Sequence, residues 1–181
     1  MCFDRVFLIG PPASGKSRIG RSVALDMNMM FRTIDDWVPG IYKPELQAEP
    51  MSDEQVDLAL SLLLTYPRER PEIVEFAHHD YVELLRSNRY PLFITSTKII
   101  VTAPLPICLA RNETRASHVR AQYLERAWLS TQSLIRLSRT GELGETIVLD
   151  TSILSPAVAT AKATAFLNTL GGGDHACNQN K

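Results

Sequence analysis

The chain has 181 residues, 45% of them hydrophobic and 22% charged, with a formal net charge of −1. That length and balance suit one α/β domain with a sizeable core, and near-neutrality excludes a global basic field for nucleic acid. Cys2, Cys108 and Cys177 are widely spaced and form no C-x-x-C pair, so neither a disulfide framework nor a zinc site is indicated and a reducing cytoplasm is expected.

In chain order, Arg5–Ile9 is an apolar run of strand length that leads straight into Gly10-Pro11-Pro12-Ala13-Ser14-Gly15-Lys16-Ser17, the pattern G-x-x-x-x-G-K-S, followed by Arg18. The chemistry of a nucleotide phosphate cradle dictates these residue types. Glycines at both ends let backbone N–H groups turn toward a polyanion, a solvent-facing Lys16 reaches the β and γ phosphates, and the Ser17 hydroxyl ligates Mg2+. The helix expected over Lys16–Met27, with Ile19, Val23 and Leu25 toward the sheet, adds the positive end of its dipole. No basic region with a long apolar core precedes the first strand, and no apolar run approaches a membrane span, so a soluble, unprocessed protein without a membrane partner is expected.

Phe31–Ile34 reads as a second strand ending at Asp35-Asp36-Trp37, and Val38–Pro50, with Pro39, Gly40, Pro44 and Pro50, as a loop or substrate-side insertion. Ser52 followed by Gln55 is a capping box for a helix with Val56, Leu60, Leu63 and Leu64 on its apolar stripe, stopping near Pro67. Ile73–Ala77 reads as a third strand with His78-His79-Asp80 at its carboxyl end and a helix over Tyr81–Ser87. A competing parse makes Pro71–Ser87 one helix and Pro91–Thr95 the strand, and periodicity does not separate the two. Lys98–Thr102 is a strand, Pro104–Arg111 a short helix and Ser117–Leu137 a long helix with Val119, Tyr123, Ala127, Leu134 and Leu137 near one side. Thr146–Leu149 is the last strand, and Ser155 caps a final helix through Leu170. The expectation is a single domain over residues 1–170, a three-layer parallel sheet with helices on both faces, and a disordered tail over 171–181.

Three features carry a resemblance: the phosphate loop, the Asp pair after the second strand, and Arg111-Asn112-Glu113-Thr114-Arg115 after the fourth. With them the chain resembles P-loop kinases of the nucleoside/nucleotide kinase type, most like the 5′-hydroxyl polynucleotide kinase domain and phage DNA-modifying relatives. The resemblance implies the P-loop NTPase fold, ATP and Mg2+ as cofactors, and a hydroxyl-bearing acceptor of nucleic-acid or nucleotide type, including a hydroxymethylated base in phage DNA. It also implies that an Asp just after the second strand contacts the acceptor hydroxyl, which places Asp35 or Asp36 there, and that Arg111 and Arg115 belong to a lid. Trp37 and Val38 stand where a polynucleotide kinase offers an arginine to the acceptor phosphate.

Phosphoryl transfer needs a cation clamp, a metal and one carboxylate that accepts the acceptor's proton. Asp35 is assigned that proton; the alternative is that the Asp pair only caps the next turn. Glu75 orients Mg2+ if it lies at a strand end and is a surface charge if Pro71–Ser87 is a helix. Arg111 and Arg115, four apart, converge on the transferring phosphate from one helix face, or are ordinary surface arginines. Asp36, Trp37, His78 and Asp80 are assigned to the acceptor pocket. Trp37, Tyr42 and Trp128 are candidates for stacking on a base, core packing being the stronger reading for Trp128. Three functions stay open: a kinase of nucleic-acid-like hydroxyls, a small-molecule kinase for a nucleoside, sugar or antibiotic, and a nucleotide-dependent switch.

Overall fold

The computed structural model describes residues 5–34, 52–67, 69–78, 80–81, 91–116 and 118–171. Five strands form one parallel sheet: β1 (Arg5–Ile9), β2 (Met30–Thr33), β3 (Glu72–Phe76), β4 (Thr97–Thr102) and β5 (Thr146–Asp150), in the order β2-β3-β1-β4-β5. Every pair is parallel, with Leu8 opposite both Glu75 and Ile99, and Thr33 opposite Glu75. Parallel strands need crossovers, and the described helices between the strands lie in them: α1 (Lys16–Asp26), α2 (Asp53–Thr65), α3 (Pro91–Thr95), α4 (Leu105–Glu113) and α5 (Ala121–Thr140); α6 (Pro156–Gly171) follows the last strand.

The central strands are apolar on both sides because helices cover both faces of the sheet. Val6 and Leu8 point to one face with Ile73, Ile99 and Val101, where Ile19 and Val23 of α1 and Ala159, Ala163 and Leu167 of α6 meet them. Phe7 and Ile9 point to the other with Val74, Phe76 and Ile100, against Val56, Leu60 and Leu63 of α2 and Leu134 and Ile135 of α5. This alternation of period two is what makes three layers. Phe93 of α3 meets Phe7 edge-on at 4.9 Å between ring centroids.

The expected strands hold, and the capping box forms: Ser52 Oγ accepts from Gln55 N at 3.3 Å while Ser52 N donates to Gln55 Oε1 at 2.8 Å. Ser155 Oγ likewise accepts from Val158 N at 3.3 Å as α6 begins. The competing parse fails, because residues 72–76 are a strand and Pro91–Thr95 a helix. Two details differ from expectation. Leu25 is 83% exposed and Ala24 buried instead, since Leu25 lies two residues past Val23, about 200° around the helix. Val119 precedes α5 rather than lying on it. Trp128, as the core-packing reading expects, packs against Ala103, Cys108 and Leu124, and its indole N–H donates to Ala103 O at 2.9 Å. The Val38–Pro50 loop, the Leu64 side chain, residues 82–87 of the expected Tyr81–Ser87 helix and the tail beyond Gly171 lie outside the described residues.

Candidate active site

The carboxyl ends of parallel strands are where a sheet of this kind binds ligands, and the chain gathers its polar loops there. Gly10 leaves β1 at φ 153°, and a Cβ there would collide with the carbonyl of Val101 on β4, so only glycine lets the loop turn this close to the neighbouring strand. Ala13 and Gly15 also take positive φ, 61° and 96°. Pro11 and Pro12 are buried, while Gly15, Ser17 and Arg18 are exposed. Gly15 then starts α1 with no capping side chain, and its first turn contains no acid. Among the described residues no side chain of this turn caps the positive end of the helix, which leaves its first N–H groups available to an anion. The Ser14 hydroxyl is wholly buried beneath the loop and has no hydrogen-bond partner among the described residues.

Lys16 is not solvent-facing as expected. It is 4% exposed, and its ammonium folds back to donate to Pro11 O at 2.8 Å and lies 3.9 Å from Glu75 Oε1. Glu75, one residue before the end of β3, accepts from Ser17 Oγ at 2.9 Å. A strand position, not a surface helix, thus carries this carboxylate to the phosphate loop. One hydroxyl and one carboxylate make an incomplete protein ligand set, which suits Mg2+, an ion that keeps waters and takes phosphate oxygens as its other ligands. Among the described residues no group of three or more His, Cys, Asp or Glu could hold a metal by itself.

Arg111 reaches the same loop from the other side. Its guanidinium donates to Thr151 Oγ1 at 2.9 Å and to Thr151 O at 3.0 Å, and the Thr151 hydroxyl donates to Ser14 O at 2.8 Å. Thr151 N also donates to Thr102 O at 2.9 Å. Thr151 therefore ties the phosphate loop, the end of β4 and the arginine of α4 together, a role the sequence reading missed. The available signal was its place directly after the last strand, where polar residues belong to a site. Arg115 does not share a helix face with Arg111: α4 ends at Glu113, and Arg115 is exposed in the turn beyond it. The helix stops because Thr114 Oγ1 turns back to Arg111 O at 2.9 Å and Arg115 N closes onto Asn112 O at 3.2 Å.

Past β3, His78 is buried and its Nδ1 accepts from Asp80 N at 2.9 Å, which leaves the ring proton on Nε2. Tyr81 is fully buried, donates to Phe76 O at 2.8 Å and through its own N–H reaches Ser130 Oγ at 2.6 Å. Burial pushes the Tyr81 phenol well above the usual range, with the nearby Tyr123 and Glu75 adding to the rise. It is a neutral fixture of this wall. The Cys108 thiol is likewise raised by burial, opposed by the charges of Arg111 and Lys16. Asp35, Asp36, Trp37, Tyr42 and His79 lie outside the described residues. No described helix is long and apolar enough to cross a membrane.

No family model and no curated protein matches the chain in sequence. Solved structures share its fold. The shikimate kinase from Acinetobacter baumannii in complex with shikimate superposes with a TM-score of 0.64 at 17% identity over 96% of each chain. A sugar kinase from Janibacter sp. HTCC2649 gives 0.61 at 18% identity, over 92% of this chain and 95% of that one. The deoxyadenosine kinase from M. mycoides with bound dATP gives 0.57 at 11% identity, over 91% of this chain and 99% of that one. What the chain shares with these kinases is the three-layer P-loop fold.

Proposed function

We propose that the protein is an ATP-dependent phosphotransferase acting on a hydroxyl of a small molecule. The observation that carries this reading is the convergence of Lys16, Ser17 and Glu75 at the uncapped start of α1, with Ser17 Oγ 2.9 Å from the Glu75 carboxylate. The proteins with this fold, named for shikimate, a sugar and deoxyadenosine, supply the acceptor class. Each name is of a small hydroxyl-bearing molecule.

In this account the β and γ phosphates of ATP lie over residues 10–17, Lys16 exchanges Pro11 O for phosphate oxygens, and Arg18 flanks the cradle. Ser17 directly, and Glu75 through water, would hold Mg2+, which supplies charge neutralisation on those oxygens. The acceptor oxygen forms a bond to the γ phosphorus as the bond from phosphorus to the β–γ bridging oxygen breaks, and the hydroxyl proton passes to Asp35. ADP leaves with the bridging oxygen. Asp36, Trp37, His78 and Asp80 shape the acceptor side, and Arg115 meets the transferring phosphate.

A nucleic-acid acceptor is the second reading, favoured by the arginines between Arg111 and Arg139 and by the polynucleotide-kinase-like Arg111-Asn112-x-x-Arg115 run. The net charge of −1 and the absence of an arginine directly after Asp36 speak against it. Transfer of labelled γ-phosphate from ATP to a panel of sugars, hydroxy acids, nucleosides, RNA and DNA, including hydroxymethylated DNA, tests both. Label on a small molecule is expected; label on polynucleotide alone reverses the acceptor assignment, and release as free phosphate with every acceptor returns the protein to the switch class.

A further inference from the structure

The peptide that joins Ser14 to Gly15 stands at the turn into α1, and its orientation decides what the phosphate loop offers there. In a trans peptide the carbonyl and the N–H point opposite ways, so whatever holds Ser14 O also aims Gly15 N–H. Gly15 takes a φ of 96°, which glycine adopts as readily as a negative φ. Its own sterics therefore do not choose between the two orientations of this peptide. Turned over, the peptide would present a carbonyl oxygen instead of a donor at the uncapped start of α1, and an oxygen there repels a polyanion.

Thr151 makes the choice from across the fold. Its hydroxyl donates to Ser14 O at 2.8 Å and accepts from Arg111 Nη1 at 2.9 Å. A hydroxyl has one proton, and the guanidinium on the oxygen's lone pair leaves that proton to a carbonyl. The competing carbonyl, Thr102 O, is farther away at 3.2 Å and already accepts from Thr151 N at 2.9 Å. A second bond from Arg111, to Thr151 O at 3.0 Å, fixes the backbone that carries the hydroxyl. The Thr151 methyl lies 3.7 Å from where a Cβ on Gly15 would stand, so the side chain is directly beside the peptide it holds.

We propose that Thr151 is a positioning residue for the nucleotide phosphates: its hydroxyl, directed by Arg111, holds Ser14 O so that Gly15 N–H is kept as a donor to the phosphate chain. The inference rests on the phosphotransferase reading and adds to it the hook that sets one peptide of its phosphate loop.

The test measures ATP affinity by calorimetry in the presence of Mg2+, together with the thermal midpoint, for the unaltered protein, Thr151→Val and Thr151→Ser. Valine keeps the branch and the methyl and drops the hydroxyl; serine keeps the hydroxyl and drops the methyl. Thr151→Val should weaken ATP binding roughly tenfold, the scale of one well-placed hydrogen bond, and Thr151→Ser should stay within about threefold of the unaltered protein. Equal losses in the two variants, or a lowered midpoint in Thr151→Val with ATP affinity unchanged, overturn the proposal. The Gly15 amide supplies a second reading by NMR. Its proton should move downfield when ATP is added to the unaltered protein, and by less than about half as much in ATP-saturated Thr151→Val, since a hydrogen bond to an anion deshields its proton. No downfield move in the unaltered protein overturns the proposal even if Thr151→Val fails to fold, and an undiminished move in Thr151→Val places the lost contact elsewhere and overturns it too. Any of these results in a protein that binds ATP removes only this inference, whereas an unaltered protein that binds no ATP removes the phosphotransferase reading beneath it.

Discussion

Lys98, the second residue of β4, is wholly buried at the amino edge of the sheet, away from the site. Its ammonium donates to Ile94 O at 2.9 Å and Ser96 O at 2.8 Å and lies 5.2 Å from the Phe93 ring. Burial lowers its pKa from 10.5 to about 7. Between those values the unfolded chain holds the proton and the folded chain releases it, so stability rises with pH across that window; below it both states are protonated and the penalty is constant. Subtracting the thermal midpoints of Lys98→Met from those of the unaltered protein should leave a difference that climbs from pH 7 toward pH 10, and a flat difference contradicts the assignment. If Asp35 accepts the acceptor's proton as proposed, Asp35→Asn should lower turnover by roughly two to four orders of magnitude, the range for a positioned base, with ATP affinity little changed. Asp36→Asn is the control, and a larger loss there exchanges the two roles; no loss in either supports the turn-capping reading.

Individual helices show why some features were legible and others were not. The α2 start was readable because Ser52 and Gln55 act within four residues, and both capping bonds form. Ser52→Ala should cost about 1 kcal/mol, read as a lower urea midpoint with activity intact; an unchanged midpoint contradicts the cap. By contrast, Leu25 was placed on the wrong face because its apolarity was weighed above its angle from Val23. Arg115 was placed on a helix because spacing four suggests one turn, yet the stop at Glu113 comes from Thr114 and Asn112 side-chain and turn bonds that spacing does not encode. Thr151 escaped notice because its role exists only where three chain segments, 14, 102 and 151, converge.

Across the whole molecule, the order β2-β3-β1-β4-β5 puts the phosphate loop at the centre, with Glu75 arriving from one side and Thr151 and Arg111 from the other. The strand pattern and the glycine-lysine motif made this architecture readable, since both are local and periodic. Exposure was not: the Lys16 ammonium is folded inward onto Pro11 O, and only a loop curled by positive φ at Gly10, Ala13 and Gly15 brings that carbonyl within reach. Lys16 is therefore the residue on which the account turns. In the proposed reaction its loss removes the cation that neutralises the γ-phosphate during transfer and leaves the apolar layers of the sheet intact. The direct test compares labelled γ-phosphate transfer from ATP by the unaltered protein and by folded Lys16→Ala. The account predicts at least about a hundredfold loss in a variant that keeps its cooperative thermal unfolding; turnover equal to that of the unaltered protein would contradict it.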